Sequence, residues 1–170
     1  MKKILLVLLF AAVAQISIAQ DFKKLKNAVL ITKWEDAKTE VDKLANDPKA
    51  KDKPEFYYYQ ARIYAVLFKE AAFRAKYPNA GDVAALALEK YASLDAGFAK
   101  IKELGGVEPY FDLYGTYFQA GVNVFNEKSW VPAAENFLKA IKYIEGFYQI
   151  INDPAAFQEK ITDECRGSPL

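Results

Sequence analysis

Carboxylates are the only abundant groups in this chain that could do acid–base chemistry. There is no histidine and a single cysteine, Cys165, which removes the commonest general base and leaves no thiolate cluster for a metal. Glu35, Asp36, Glu40 and Asp42 are spread over exposed helix faces, where solvated charge is the default. A glycosidase-like pair would need two carboxyls converging on a cleft, and no spacing here suggests it. Gly105 and Gly106 are not followed by Lys-Ser or Lys-Thr, so no phosphate loop is indicated. The expectation is a noncatalytic protein with no cofactor and no metal. What remains is aromatic. Phe, Tyr and Trp make up 15% of the residues, and in the run Phe56, Tyr57, Tyr58, Tyr59 successive side chains point about 100° apart on a helix, so one ring at least should face out of its own packing unit. Tyr58 and Arg62, one helical turn apart, would present a flat ring and a planar, always-charged fork to a partner.

The elements that would position these residues are helical throughout. Tyr117, Ala120, Gly121, Val124 and Phe125 recur at three- and four-residue steps, as do Trp130, Ala133, Ala134, Phe137, Ala140 and Ile141. Only Asn126 to Ser129 separate the two patterns, which predicts an antiparallel helix hairpin with Ser129 as N-cap, Pro132 in the first turn, and Val124, Trp130 and Phe137 filling the space around Gly121 and Ala133. The spacing of Trp34, Ala37, Val41 and Leu44 equals that of Trp130, Ala133, Phe137 and Ala140, so the hairpin has a second copy behind the short helix that carries Phe22, Leu25, Ala28 and Val29. A third begins at Pro54 with Tyr57, Ala61, Tyr64, Val66 and Phe68 on a helix predicted to reach Phe73. Its partner is predicted to run as one helix from Asp82, the expected N-cap, to Leu104. The polar run from Lys49 to Lys53 reads as a solvated loop, and Asp153 and Pro154 open a last helix with Phe157 and Ile161.

Large, small, aliphatic, aromatic, small, aromatic and small residues at Tyr117, Gly121, Val124, Trp130, Ala133, Phe137 and Ala140 resemble the tetratricopeptide repeat, with Ala120 where a Leu is usual and Glu145 where the closing Pro is usual. The resemblance implies an all-α chain: a short right-handed solenoid of three antiparallel helix hairpins over residues 20–48, 54–104 and 109–147, closed by a cap helix over 153–165. It further implies a concave face lined by Tyr58, Arg62 and Ala65 in the middle unit, by Phe118, Val122 and Phe125 in the last, and by Phe22 and Lys26 in the first, holding a protein or peptide partner. The Lys and Asn set with which some relatives clamp a C-terminal carboxylate is absent, because Phe118 and Val122 stand at basic positions. A noncatalytic scaffold in a cell-envelope assembly is the resulting expectation. The alternative is a carbohydrate or small-ligand uptake accessory protein that stacks exposed rings on sugars. A third possibility is a shortened form of a longer repeat array.

Residues 1–19, with Lys2 and Lys3 before an apolar run and Ser17 and Ala19 at small-residue positions, read as a secretory leader. Gln15 and Ser17 interrupt the run before it reaches the roughly 18 residues of a membrane span, so no span is expected after cleavage, and the simplest destination is a bacterial periplasm. The net charge is +1 and no Lys/Arg block occurs, which offers nucleic acid no electrostatic footprint. Cleavage after Ala19 predicts a mature chain beginning at Gln20; intact mass of the protein recovered from its host checks this, and retention of Lys2 and Lys3 would refute it.

Overall fold

The computed structural model describes residues 22–151. Those residues form helices joined by turns, with no strand among them: α1 over 22–30, α2 Trp34–Leu44, α3 Pro48–Lys51, α4 Pro54–Lys69, α5 Ala71–Arg74, α6 Ala80–Leu94, α7 Ile101–Leu104, α8 Glu108–Asn126 and α9 Trp130–Ile150. The fold is all-α. The leader, the helix expected over 153–165 and Cys165 lie outside the described residues.

Two antiparallel pairs, α4 with α6 and α8 with α9, make the most extensive contacts, and α4 also packs on α2 and α8. More than half of α4 is buried, including Phe56, Tyr58, Tyr59, Ile63 and Leu67, so the core forms around it. Pro54 starts the helix where no N–H is required, and the chain leaves it at Glu70, whose ψ of 121° is extended.

The two turns that the sequence pairs have the same geometry. Thr32, at φ 56°, donates its N–H to Val29 O at 3.0 Å while Lys33 donates to Ala28 O at 2.9 Å; Lys128, at φ 60°, donates to Phe125 O at 2.8 Å while Ser129 donates to Val124 O at 2.9 Å. Each is a Schellman close with a non-glycine residue in the left-handed position, followed by Trp34 or Trp130. Beyond that turn the packing differs in a compensating way. Leu25 and Val41, both fully buried in the first unit, correspond to Gly121 and Phe137 in the last. A Cβ built on Gly121 would stand 2.6 Å from Phe137 Cε1, and one on Gly146 2.6 Å from Tyr110 Cε1, so ring faces occupy the volume that side chains on those glycines would need.

Several expectations are corrected. The helix expected from Asp82 to Leu104 starts at Ala80 and breaks after Leu94, because Asp95 accepts from Tyr91 Oη at 2.6 Å and from the N–H groups of Ala99 and Lys100. Phe98 then takes a φ of 51° and α7 returns onto α4. The helix expected to reach Phe73 is interrupted at Glu70. Ser129 is an N-cap without a side-chain cap bond, and Asp82 lies within the first turn of α6, whose N-cap is Asn79. The Lys49–Lys53 run contains a helical turn, capped by Asp47 accepting from Lys49 N–H at 2.9 Å. Trp130, expected inside its hairpin, is 57% exposed, whereas Ala133 is buried as expected.

Two predictions follow from the packing. Gly121→Leu should destabilise by about 1–3 kcal/mol through collision with Phe137, outweighing any gain in helix propensity. Adding Phe137→Val, which restores the Leu25–Val41 combination, should recover part of that loss; melts showing no recovery would refute the pairing of the units. Burial pushes the hydroxyls of Tyr59, Tyr64 and Tyr110 up to about 12, helped at Tyr64 by its bond to Asp42, and raises those of Tyr58, Tyr91 and Tyr143 in the same direction. Unfolded tyrosines ionise near pH 10, so between pH 10 and 12 the unfolded chain holds fewer protons and stability falls, by about 1.4 kcal/mol per pH unit for each tyrosine involved. Denaturant midpoints should therefore be flat below pH 9 and drop steeply above 10; a flat profile to pH 12 would refute it.

Candidate binding face of α4 and α8

Three elements meet at one cation. Arg62, on the middle of α4, donates from Nη1 to Asp112 Oδ2 on α8 at 2.6 Å, and its guanidinium carbon lies 5.7 Å from the ring centroid of Trp34 at the start of α2. Lys69, the last residue of α4, donates to the other carboxylate oxygen at 2.9 Å. Asp112 is only 9% exposed, and a carboxylate so enclosed is tolerable because both oxygens accept charged donors. Local chain geometry brings Lys69 there: α4 stops at Glu70, and Arg74 turns back to donate to the Phe68 and Lys69 carbonyls at 2.9 Å each, satisfying groups that the helix end leaves without partners. Thr116 Oγ1 donates to the Asp112 carbonyl at 2.7 Å on the buried side of α8.

Two open hollows, of about 360 and 440 Å³, adjoin at Lys69, Phe111 and Asp112. The first is walled by Trp34, Val66 and Phe147, the second by Arg74, Gly115, Gln119 and Asn123. Together they follow α8 from Val107 to Val124, ~25 Å at 1.5 Å per residue. The surface is aromatic at one end, where Phe111 is 53% exposed, ion-paired in the middle, and amide-bearing at the other, where Gln119 Nε2 donates to Asn123 Oδ1 at 3.0 Å. With both oxygens of Asp112 engaged, its carboxylate is a structural anchor. Among the described residues no group of three His, Cys, Asp or Glu side chains could hold a metal ion. The face presents ring faces, one half-exposed ammonium and amide groups along an extended track.

Of the five residues expected to bind, only Arg62 lies on this face. Tyr58 is 1% exposed, packs edge-on against Tyr59 and Tyr91, and ends against Gly105, whose φ of 132° and lack of a Cβ leave room for the hydroxyl. The cause is the break at Asp95, which sends α7 and the turn at Gly105 back onto α4 over the ring that was expected to face out. Phe118 is half-buried against Tyr114 and Phe137, on the α9 side of α8. Val122 is half-buried and borders neither hollow. Phe125 is 41% exposed and meets Trp130 edge-on at 5.0 Å at the hairpin tip. Phe22 and Ala65 are core residues, while Lys26 is exposed.

The residues missed were Trp34, Lys69, Phe111, Asp112 and Phe147. One signal for them was available: Asp112, Thr116, Gln119 and Asn123 form a polar line at helical steps through an otherwise apolar helix. No family model, curated protein or solved structure matches this chain.

Proposed function

We propose that this chain is a noncatalytic helical-repeat scaffold of the tetratricopeptide type, exported to a bacterial periplasm, that holds an extended protein or peptide segment along the α4–α8 face within an envelope assembly. The observation that carries the reading is the continuous track of two hollows joined at Lys69, Phe111 and Asp112. At about 3.3 Å per residue, ~25 Å accommodates seven or eight residues of extended chain. Shallow, open hollows suit such a segment better than a small ligand, which is normally taken up in an enclosed cavity. Repeat character is supported by the shared turn geometry at Thr32 and Lys128, and by α2, the second helix of one unit, packing on α4, the first helix of the next. A right-handed superhelix is the arrangement that such stacking gives in this architecture.

The test is a library of immobilised peptides probed with the full chain, beside a glycan library. Phe111→Ala should weaken capture of a selected peptide by about tenfold or more, as expected for an exposed aromatic anchor, with melting nearly unchanged because the ring is half in water. Capture of glycans and not of peptides would support the carbohydrate alternative instead. Peptide capture indifferent to Phe111 would place the docking surface elsewhere.

A further inference from the structure

Helix α9 has two apolar sides. Ala133, Ala140, Tyr143 and Ile144 are buried. A second set is in water: Trp130 is 57% exposed, Val131 70%, Leu138 67% and Ile141 38%, with exposed Ala134 between them. At 100° per residue these five fall within a sector about 100° wide, the width of a core-facing stripe.

The paired turns at Thr32 and Lys128 give this sector a counterpart on α2. There the places of Val131, Ala134 and Leu138 are held by Glu35, Lys38 and Asp42, and it is by these that α2 meets the next unit. Tyr64 Oη donates to Asp42 at 2.7 Å, Tyr77 Oη donates to Glu35 at 2.9 Å, and Lys38 lies over both rings. The equivalent side of α9 is thus a docking side whose polar contacts have been replaced by apolar ones.

We infer that this sector of α9 is the interface of an antiparallel homodimer. The charged residues of α9 are Glu135, Lys139, Lys142 and Glu145, two of each sign. That leaves no basic fringe for a lipid or nucleic-acid surface. The stripe also complements itself when reversed. Two copies run antiparallel about its midpoint set Val131 of one against Ile141 of the other and small Ala134 against large Leu138, a size match that a parallel pair, with Ala134 against Ala134, lacks. The patch is smaller than the ~800 Å² per partner of a standard stable interface, so association belongs in the micromolar range. The inference does not rest on the peptide-binding reading, because Phe111 and the hollows lie on another face.

Sedimentation velocity of the full chain, processed as its host processes it, should show a monomer–dimer equilibrium across micromolar to sub-millimolar concentrations. Leu138→Glu should raise the dissociation constant at least tenfold with helicity and melting of the dilute protein unchanged, while Leu86→Glu, equally exposed on α6, should leave it unaltered. In a Cys165→Ser background, mixing Val131→Cys with Ile141→Cys should give a disulfide-linked dimer. Val131→Cys alone should not, because its two copies stand ~15 Å apart along the axis. A monomer at every concentration, which would assign this side of α9 to the chain's own residues 152–170, an unaltered equilibrium in Leu138→Glu, or self-linking of Val131→Cys would each overturn the inference.

Discussion

Asp112 places a carboxylate in the seam between α4 and α8, and the arrangement of α2, α4 and α8 depends on how that charge is met. Arg62 meets it from the middle of α4 and is itself covered by Trp34 from α2. One line of contacts therefore ties α2 to α4 and α4 to α8. Replacing a partly enclosed ion pair by apolar groups is often neutral, but removing one member alone is not, since the other is left charged and desolvated. Such a pair thus sets position more than it adds stability. Sliding α8 by one turn along α4 would strand both charges. A planar guanidinium also suits the place better than an ammonium, because it can lie against the indole while donating in its own plane.

The same pairing governs what the exposed face offers. Lys69 takes the second oxygen of Asp112, and along the track Arg62, Lys69 and Arg74 are balanced by Asp112, Glu70 and Glu108, with a half-exposed ammonium at its rim. A ligand would have to gain most of its affinity from Phe111, Trp34 and Phe147 and from hydrogen bonds to Gln119 and Asn123. Long-range attraction would contribute little to such an encounter. This fits a chain whose net charge is +1.

Much of the fold was legible in the sequence. Helical periodicity located α2, α8 and α9, and the Trp34–Leu44 spacing, repeated at Trp130–Ala140, marked two units whose turns share one geometry. The binding face was much less legible, because its residues were assigned by position within a unit on the assumption that first helices keep one side free. That assumption fails at α4, which packs on α2, α6 and α8 and is covered further by α7. The deciding residue is Asp95. Its carboxylate takes a tyrosine hydroxyl and two backbone amides, ending α6 early. Periodicity cannot reveal this, since Phe98 and Ile101 continue an apolar pattern through the break. Tyr58 was therefore read as outward and is core. Trp130 was read as core and is outward, because Phe137 and Gly121 already close the hairpin without it.

The α4–α8 face and the apolar stripe are linked through α9. Phe147, near its C-terminal end, walls one hollow of the α4–α8 face, while Trp130 to Ile141 expose the apolar stripe along its N-terminal half. An isologous pairing through the stripe would leave both tracks of a dimer open and related by a two-fold axis. A partner presenting two copies of a recognised segment would then bind the second at the high local concentration set by the first, and weak contacts at Phe111 could yield strong retention. The geometry limits this gain. The stripe spans only a few helical turns, so two copies held there could rock about it, and the benefit of bivalency depends on a partner flexible enough to follow. A folded, rigid partner would engage one track at a time, at the affinity of a single face.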